Sequence, residues 1–264
     1  MSKIRFLLSL FLSLIPLGKV PPQIAFSLTG FATFITFENE VKAESAEFYI
    51  DKSYESEERG DYEEALFYLN KAIKIDSKDS NSYYLRGWIK KKLKDSIGAL
   101  EDFERAVEIN PEDEDSYFQI GFLKAKSKDY YGSINAYNIA IKLDKTNPIS
   151  FYNRGLSKSN IGFIKGAISD YNRAIEINPN YADAYYNLGN LAKDSKDFYL
   201  AISYYNKVIK IDSNFEAYTN RGISKSEIGD KKGACDDYKK AINVGSVSTK
   251  KWLATSSGKW CREM

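Results

Sequence analysis

Residues 80–113, SNSYYLRGWIKKKLKDSIGALEDFERAVEINPED, decide the fold of this chain, because their pattern recurs about every 34 residues. The stretch contains an aromatic residue, a glycine four positions later, a second aromatic with one alanine before it and one after it, and a proline. These residues are Tyr83, Gly87, Ala99, Phe103, Ala106 and Pro111. The aromatic and the glycine recur as Tyr117 and Gly121, Phe151 and Gly155, Tyr185 and Gly189, and Tyr218 and Gly222. A repeat of this period predicts a row of stacked helix pairs.

The recurring residues have the spacing that two packed helices require. An aromatic and a glycine four positions apart lie on one face of a helix, and the glycine lets a second helix approach closely. The alanines are small where the two helices cross, and the proline ends one helix before the next begins. Each repeat is therefore predicted to be one pair of packed helices.

This pattern resembles the tetratricopeptide repeat, which has the same marks over a unit of about 34 residues. The resemblance implies an all-α, right-handed α-solenoid of six helix pairs with a C-terminal capping helix. The chain is similar to bacterial exported or membrane-associated members of the family. The array is expected over 44–245, with a capping helix and tail over 246–264. The six repeats are expected at 46–79, 80–113, 114–147, 148–181, 182–214 and 215–245.

The composition favours a binding protein over an enzyme. The formal net charge of +2 indicates no nucleic-acid partner. The chain has no histidine, which is the commonest general base and the commonest neutral metal ligand. Its two cysteines are too few for a four-ligand zinc site. We therefore expect no catalytic residue, no metal and no cofactor.

Residues 1–43 lie outside the repeat pattern. Two basic residues precede an apolar run over 6–17, and a second apolar run covers 24–37. Neither run reaches the roughly 20 residues that a membrane-spanning helix needs. We interpret the segment as an export signal cleaved after Ala43, which predicts a periplasmic, lumenal or secreted protein. The alternative is an uncleaved membrane anchor.

The first repeat departs from the pattern, because Ser53 replaces the glycine and acidic residues crowd the segment 44–64. Terminal repeats of a solenoid need a polar outer face, so we interpret this repeat as an N-terminal cap. The alternative is an acidic surface that binds a basic partner.

An arginine and an aspartate recur together in every second repeat. The arginine precedes the glycine, and the aspartate lies in the following helix: Arg86 with Asp102, Arg154 with Asp170, and Arg221 with Asp237. Because the neighbouring repeats lack both, we predict an ion pair between the two helices of one repeat, with a mainly structural role. The alternative is that the arginines bind a ligand carboxylate. The alternation indicates that the array grew by duplication of a two-repeat unit.

The resemblance places the first helix of each repeat on a concave groove, where an extended peptide or a partner protein is expected to bind. The residue two before the glycine faces this groove in the family, and here it is an amide in four repeats, with one more amide after the glycine of the fifth repeat: Gln119, Asn153, Asn187, Asn220 and Asn190. Large aromatic residues accompany the amides: Tyr84, Trp88, Phe118, Phe122, Tyr152 and Tyr186. Amides can bind any peptide backbone, and aromatics supply apolar contact area. The alternative for each aromatic is ordinary packing between helices.

One ligand class of the family is disfavoured. Members that bind the acidic C-terminus of a chaperone use a clamp of basic residues on their first helices. The first clamp lysine corresponds to Tyr84, Phe118, Tyr152 or Tyr186 here, and all four are aromatic. A chaperone tail is therefore not the expected ligand.

The C-terminal tail is predicted to close the array. Ser248 is expected to cap a short helix that turns Trp252 and Leu253 inward. In an exported chain, the two cysteines predict a disulfide between Cys235, in the last repeat, and Cys261, in the tail. The alternative is two free thiols.

Three classes of function follow from these observations. The favoured one is a non-enzymatic scaffold that binds a peptide or protein in the groove outside the cytoplasm. The second is a membrane-anchored assembly or structural factor, whose membrane contact comes from residues 1–43. An enzyme is disfavoured, because no nucleophile–base pair, phosphate loop or metal cluster is evident.

Overall fold

The computed structural model of the protein describes residues 45–264, and the predictions for the signal or anchor at 1–43 lie outside the described residues. The chain divides into two compact units, with the boundary between Asp95 and Ser96. The predicted second repeat is thus shared between the units, its first helix in one and its second helix in the other. Within 45–264 the structure is built from fourteen α-helices and one short 3₁₀ turn, with no strand.

In the first unit, three helices pack in sequence order. They are α1 (Ala46–Glu58), α2 (Tyr62–Ile75) and α3 (Ser80–Lys92). The first packs on the second and the second on the third. Their shared core is formed by Ala65, Leu69, Leu85 and Ile89.

In the second unit, helix pairs follow one another along the chain. Its helices are α4 (Ser96–Ile109), α5 (Glu114–Lys126), α6 (Tyr130–Leu143), α7 (Pro148–Asn160), α8 (Ile164–Ile177), α9 (Ala182–Asp194), α10 (Phe198–Ile211), α11 (Phe215–Glu227), α12 (Lys231–Asn243), α13 (Val247–Ala254) and α14 (Lys259–Arg262). Each helix from α4 to α13 packs on the next one along the chain. The four complete pairs are α5/α6, α7/α8, α9/α10 and α11/α12.

Side-chain caps fix where the helices begin. Asp129 and Asp197 accept hydrogen bonds from the first turns of α6 and α10, and Asn147 and Asn214 do the same for α7 and α11. A cap of this kind satisfies backbone N–H groups that have no partner within the helix. These polar residues therefore set where the helices begin, both within a repeat and between repeats.

The recurring glycine allows a tyrosine to lie directly against the first helix of its own repeat. A Cβ atom placed on Gly121 would lie 2.9 Å from the Tyr137 ring, and one on Gly189 would lie 2.7 Å from the Tyr205 ring. Real Cβ atoms do not approach this closely, so any larger residue at these positions must displace the tyrosine. Both tyrosine side chains are fully buried. The predicted close approach of the second helix at the glycine is what the structure shows.

The C-terminal tail covers the end of the last repeat. The Trp252 ring lies 4.7 Å from that of Tyr238, and Trp260 packs on both. The predicted cap was wrong by two residues, because Ser246, and not Ser248, accepts the hydrogen bond from the Thr249 backbone N–H. The α-helix begins directly after Gly245, which has a positive φ of 106°, so Ser246 is the first residue able to cap it.

Candidate functional site

The first helices of the second unit form one surface, which we call the first-helix face: α5, α7, α9 and α11. Successive first helices are linked across this face by hydrogen bonds between an amide and a tyrosine. Asn187 Nδ2 donates to Tyr152 Oη at 3.0 Å, and Asn220 Nδ2 donates to Tyr186 Oη at the same distance. All four side chains stay partly exposed. The predicted amide row and aromatic row are therefore a single hydrogen-bonded ladder.

At the C-terminal end of the ladder, the polar groups bind one another. Asn220 Nδ2 also contacts Asn190 Oδ1 at 3.3 Å, and Lys193 Nζ donates to Asn220 Oδ1 at 3.2 Å. Asn190 Oδ1 further accepts a hydrogen bond from Tyr205 Oη at 2.8 Å. Asn190 and Asn220 were predicted to contact a ligand, but here they hold the protein's own side chains in place.

Gln119 departs from the prediction, because its side chain is only 8% exposed and does not offer an open amide to the groove. The residue two positions before the glycine lies on the side of the helix that faces the preceding first helix, as the contacts of Asn187 and Asn220 show. An amide at this position therefore mainly links two neighbouring helices, and only part of it is available to a ligand.

The aromatic residues of the face pack against their own repeats. Phe118 meets Tyr137 at a centroid distance of 5.7 Å, Tyr152 meets Tyr171 at 5.8 Å, and Tyr186 meets Tyr205 at 6.0 Å. Burial raises the pKa values of the Tyr152 and Tyr186 hydroxyls, and the amides that donate to them oppose the shift. The structure thus shows the packing interpretation, while contact with a ligand stays a prediction for these partly exposed rings.

In the first unit, Tyr84 and Trp88 pack on the core of that unit. Trp88 Nε1 donates to Glu57 Oε1 at 3.0 Å, and the ammonium groups of Lys91 and Lys92 lie 4.5 Å and 5.0 Å from its ring. The Trp88 ring is therefore surrounded by charged groups of its own unit.

A cavity of about 320 Å³ opens between α5, α6 and α7. It is lined by Phe122, Ala125, Lys126, Tyr130, Tyr137, Asn153, Leu156, Ser157 and Asn160. The Tyr137 hydroxyl is buried and has no hydrogen-bond partner. Burial raises the pKa of this hydroxyl, and the neighbouring Asn153 amide opposes the rise without meeting the geometry of a hydrogen bond. Phe122 and Asn153 were predicted as groove residues, but the sequence did not indicate the role of Tyr137, which has the same place in its repeat as the other packing aromatics.

The equivalent tyrosine two repeats later, Tyr205, does have a hydrogen-bond partner. Tyr205 donates to Asn190, which lies fifteen residues before it. Fifteen residues before Tyr137 the chain has Phe122, whose ring cannot accept the hydrogen bond in the same way. The exchange of one amide for one phenyl ring therefore accounts for the hydroxyl without a partner.

Each predicted ion pair of the second unit is part of a four-residue cluster. Arg154 contacts both carboxylate oxygens of Asp170, with Nε–Oδ2 at 2.9 Å and Nη2–Oδ1 at 2.6 Å. Its remaining nitrogen, Nη1, donates to Asn138 Oδ1 at 2.8 Å, and Lys158 Nζ lies 2.8 Å from Asp170 Oδ2. The Asp170 side chain is only 4% exposed, so this is a buried cluster with one negative and two positive charges. Three of the five guanidinium N–H groups are thus used within the protein, with one bond from each nitrogen.

An equivalent cluster lies two repeats later. Arg221 contacts both oxygens of Asp237 at 2.8 Å and 2.5 Å, and its third nitrogen donates to Asn206 at 2.6 Å. Lys225 Nζ lies 2.9 Å from the same carboxylate. We call the two regions that hold these clusters the 3/4 junction, residues 114–177, and the 5/6 junction, residues 182–243.

Sequence reasoning missed the asparagines, which tie each arginine to the preceding repeat. Asn138 and Asn206 belong to the second helices of repeats three and five, so each arginine pairs with the aspartate of its own repeat, as predicted, and also joins that repeat to the preceding one. In the first unit, Arg86 Nη1 likewise donates to Asn70 Oδ1 at 2.8 Å. Its predicted partner Asp102, which is 3% exposed, belongs to the other unit. The recurrence of asparagine at this position of repeats one, three and five, as Asn70, Asn138 and Asn206, was the available signal, although repeat four also has one there.

The two cysteines form a disulfide. The Cys235–Cys261 bridge has a Cα–Cα distance of 5.3 Å, and both residues are buried, at 2% and 0% exposed. It joins α12 to α14 inside the cluster of Trp252, Trp260 and Tyr238.

Two further features of residues 45–264 bear on function. These residues contain no group of three or more acidic or cysteine side chains arranged to hold a metal ion. None of their helices combines the length and the apolar character that crossing a membrane requires.

Comparison with known families and structures agrees with this architecture. The tetratricopeptide repeat profile matches residues 46–79, 80–113 and 182–215, and a related TPR repeat profile matches 161–196. No curated protein sequence matches the chain.

Several solved structures share the fold. The C-terminal part of a TPR repeat-containing protein from Cytophaga hutchinsonii is 21% identical, with a TM-score of 0.68 over 88% of this chain and 98% of that one. PilW, described as a widely conserved type IV pilus biogenesis factor, is 19% identical, with a TM-score of 0.65 over 80% of this chain and 98% of that one. YrrB, described as a TPR protein with an unusual peptide-binding site, is 20% identical, with a TM-score of 0.53 over 81% of this chain and 93% of that one.

At these identities the likeness shows the fold alone, and it confirms the predicted α-solenoid class. The profile matches and the succession of packed helix pairs lead to one conclusion. The chain is a tetratricopeptide repeat protein.

Proposed function

We propose that the protein is a non-enzymatic scaffold whose first-helix face binds an extended peptide or a segment of a partner protein. Solenoids of stacked helix pairs generally use such extended surfaces to bind other proteins. The observation that carries the proposal for this chain is the ladder of partly exposed tyrosines and asparagines along α7, α9 and α11. A ladder held by its own hydrogen bonds is already ordered before a ligand arrives, so binding orders few additional side chains.

The ladder still offers polar groups to a ligand. Asn187 uses one N–H for Tyr152, which leaves its second N–H and its carbonyl oxygen for a peptide backbone. Asn153 lies at the cavity and makes no hydrogen bond with Tyr137. Asn220 has both sides of its amide engaged and acts as the fixed end of the ladder. We therefore assign ligand contact to Asn153 and Asn187, and a supporting role to Asn190 and Asn220.

The electrostatics of the face favour binding over acid–base chemistry. Burial raises the pKa values of Tyr137, Tyr152 and Tyr186, so these hydroxyls stay protonated at neutral pH. A protonated phenol can donate or accept a hydrogen bond but cannot serve as a general base. With no histidine in the chain, the face is suited to recognition.

We further propose that the protein acts outside the cytoplasm, after cleavage near Ala43. The buried disulfide supports this location, because structural disulfides persist mainly in oxidising compartments. Sequencing the N-terminus of the mature protein tests the proposal. A mature protein that begins at Met1 would favour the alternative, a membrane-anchored factor.

Selection of displayed peptides on the full-length protein tests the binding function. We expect enriched peptides to lose about tenfold in affinity when Asn187 is changed to alanine, because a peptide hydrogen bond is lost and its buried partner is left unpaired. Asn172→Ala, an exposed amide on α8, is the matched control and should bind as the wild type does. Peptides whose affinity responds to Asn172→Ala and not to Asn187→Ala would place the binding surface elsewhere.

A further inference from the structure

We propose that the cavity between α5, α6 and α7 is a specificity pocket for a tyrosine side chain of the bound segment, with an acidic group of that segment next to Lys126. This proposal rests on the proposed function and names the chemistry that the first-helix face selects. Four features carry it: the volume of the cavity, its mainly apolar lining, one buried hydroxyl and one cationic side chain.

The cavity has the size for one aromatic side chain. Its volume of about 320 Å³ lies at the lower end of the range for small-ligand pockets, about 300–1,000 Å³. Phe122, Leu156 and Tyr130 supply apolar walls from three different helices. Phe122 is 40% exposed, so an incoming side chain can cover additional area of its ring.

The buried hydroxyl selects an occupant with a polar tip. Tyr137 is fully buried and its hydroxyl has no partner, which is unusual, since most buried polar groups make a hydrogen bond. Asn153 beside it adds an amide donor and acceptor. A phenol hydroxyl both donates and accepts, so it can bond to Tyr137 and Asn153 together, whereas a phenyl or aliphatic side chain leaves both unsatisfied.

The charge at the cavity restricts the rest of the ligand. Lys126 is the only ionic side chain among the lining residues, and it lies on α5 four positions after Phe122. Its ammonium group repels lysine and arginine side chains and attracts a carboxylate. An acidic residue beside the tyrosine, or the C-terminal carboxylate of a terminal tyrosine, fits this arrangement.

Alternate repeats show that the pocket is particular to one junction. In the 5/6 junction the equivalent tyrosine hydroxyl, that of Tyr205, donates to Asn190 and has nothing left to donate to a ligand. The presence of Phe122 at the equivalent position both removes that acceptor and supplies a wall of the cavity. The same side chain thus leaves the hydroxyl unpaired and makes the cavity apolar.

Titration of the full-length protein with N-acetyl-tyrosine, followed by amide chemical shifts of α5 and α7, tests the pocket. We expect N-acetyl-tyrosine to bind about fivefold more tightly than N-acetyl-phenylalanine, because the phenol gains a hydrogen bond to Tyr137. N-acetyl-tyrosinamide, which lacks the carboxylate, should bind more weakly than N-acetyl-tyrosine.

Two variants separate the pocket from a structural role of the tyrosine. In Tyr137→Phe the preference for tyrosine over phenylalanine should disappear, while the affinity for N-acetyl-phenylalanine stays the same. Tyr205→Phe is the matched control and should keep the preference. Equal binding of the two probes to the wild type, absence of binding, or a preference that survives in Tyr137→Phe would each overturn the proposal.

The outcome is distinguishable from that of the peptide selection. Selected peptides that bind through Asn187 but carry no tyrosine at the cavity would overturn the pocket and leave the scaffold function intact. Probe binding without any selected peptide would support the pocket and count against the scaffold function.

Discussion

The 3/4 junction and the 5/6 junction are two copies of one arrangement, and they differ at the first-helix face. Both contain an Arg–Asp–Lys–Asn cluster and a tyrosine packed on a glycine. In the 5/6 junction the tyrosine hydroxyl, Asn190 and Asn220 satisfy one another. In the 3/4 junction the hydroxyl is left without a partner beside a cavity. The comparison indicates that the buried clusters preserve the stacking, while single exchanges on the face set what each junction can bind.

The largest effect should come from the buried clusters and should be equal in the two junctions. Asp170→Ala and Asp237→Ala each leave an arginine and a lysine without their carboxylate in a mostly buried site. We expect each change to lower the free energy of unfolding by about 3–5 kcal/mol, measured by urea denaturation. Asp236→Ala, an exposed neighbour of Asp237, is the control and should cost under about 0.5 kcal/mol. A large loss at one junction only would show that the clusters are not equivalent.

The disulfide should stabilise the 5/6 junction and leave the 3/4 junction unaffected. Replacing Cys235 and Cys261 together by alanine removes a cross-link over 26 residues, which contributes about 3–4 kcal/mol in the chain-entropy model. Because stability in a repeat array acts mainly between neighbours, we expect hydrogen exchange to accelerate in α11 and α12 and to stay unchanged in α5 to α8. Equal acceleration in all of these helices would instead indicate one cooperative unit.

The two tyrosines should respond in opposite ways to loss of the hydroxyl. Tyr205→Phe removes a hydrogen bond to Asn190 and should cost about 1 kcal/mol in the free energy of unfolding. Tyr137→Phe removes a buried hydroxyl that has no partner, so stability should be unchanged or rise by up to about 1 kcal/mol. Urea denaturation of the two variants under the same conditions measures both. A loss of about 1 kcal/mol in Tyr137→Phe would show that its hydroxyl is bonded and that the junctions do not differ.

Placing an amide at position 122 should give the 3/4 junction the hydrogen bond that Asn190 and Tyr205 make in the 5/6 junction. Phe122→Asn places an acceptor fifteen residues before Tyr137, as Asn190 is placed before Tyr205. The new hydrogen bond and the lost contacts of the ring oppose each other, so the net change in stability should be within about 0.5 kcal/mol. The informative quantity is the coupling: in the Phe122→Asn background, Tyr137→Phe should now cost about 1 kcal/mol. A coupling energy near zero would reject the explanation by residue exchange.

The sequence predicted the features that the two junctions share, but not the feature in which they differ. The period of Gly121 and Gly189 predicted the helix pairs, since the position of a glycine follows from backbone packing alone. The joint occurrence of Arg154 and Asp170 predicted the ion pair, because a charge in a repeat core needs a partner. The position relative to the glycine identified the amides of the ladder. It did not show which of these amides hydrogen-bond to other side chains of the protein.

The sequence could not predict that the Tyr137 hydroxyl has no hydrogen-bond partner, and the reason is physical. Tyr137 and Tyr205 are the same residue at the same repeat position, and the hydrogen bonding of their hydroxyls depends on a side chain fifteen residues earlier, on another helix. The sequence predicted Phe122 as an aromatic of the groove, and its position alone does not indicate a missing acceptor. Its consequence for Tyr137 becomes visible only when the fifteen-residue contact is known from Asn190 and Tyr205.

The smallest effect concerns pH, and it should again be the same in both junctions. Burial raises the pKa values of Tyr137 and Tyr205 above the ordinary value near 10. Above pH 10 the unfolded chain loses these protons while the folded protein retains them, so the free energy of unfolding should fall as the pH rises. Below pH 10 both states are protonated, and neither tyrosine contributes to the pH dependence.

Each single change to phenylalanine should reduce that alkaline slope by a similar amount, measured by urea denaturation between pH 9.5 and about 11. Tyr131→Phe, whose side chain is 70% exposed, is the control and should leave the slope nearly as it is. Because desolvation is common to the two buried hydroxyls and the hydrogen bond is not, the slopes should agree even where the stabilities at neutral pH do not. A smaller slope change for Tyr137→Phe alone would mean that water reaches its hydroxyl, and the cavity would then be a hydrated opening rather than a pocket that selects a phenol.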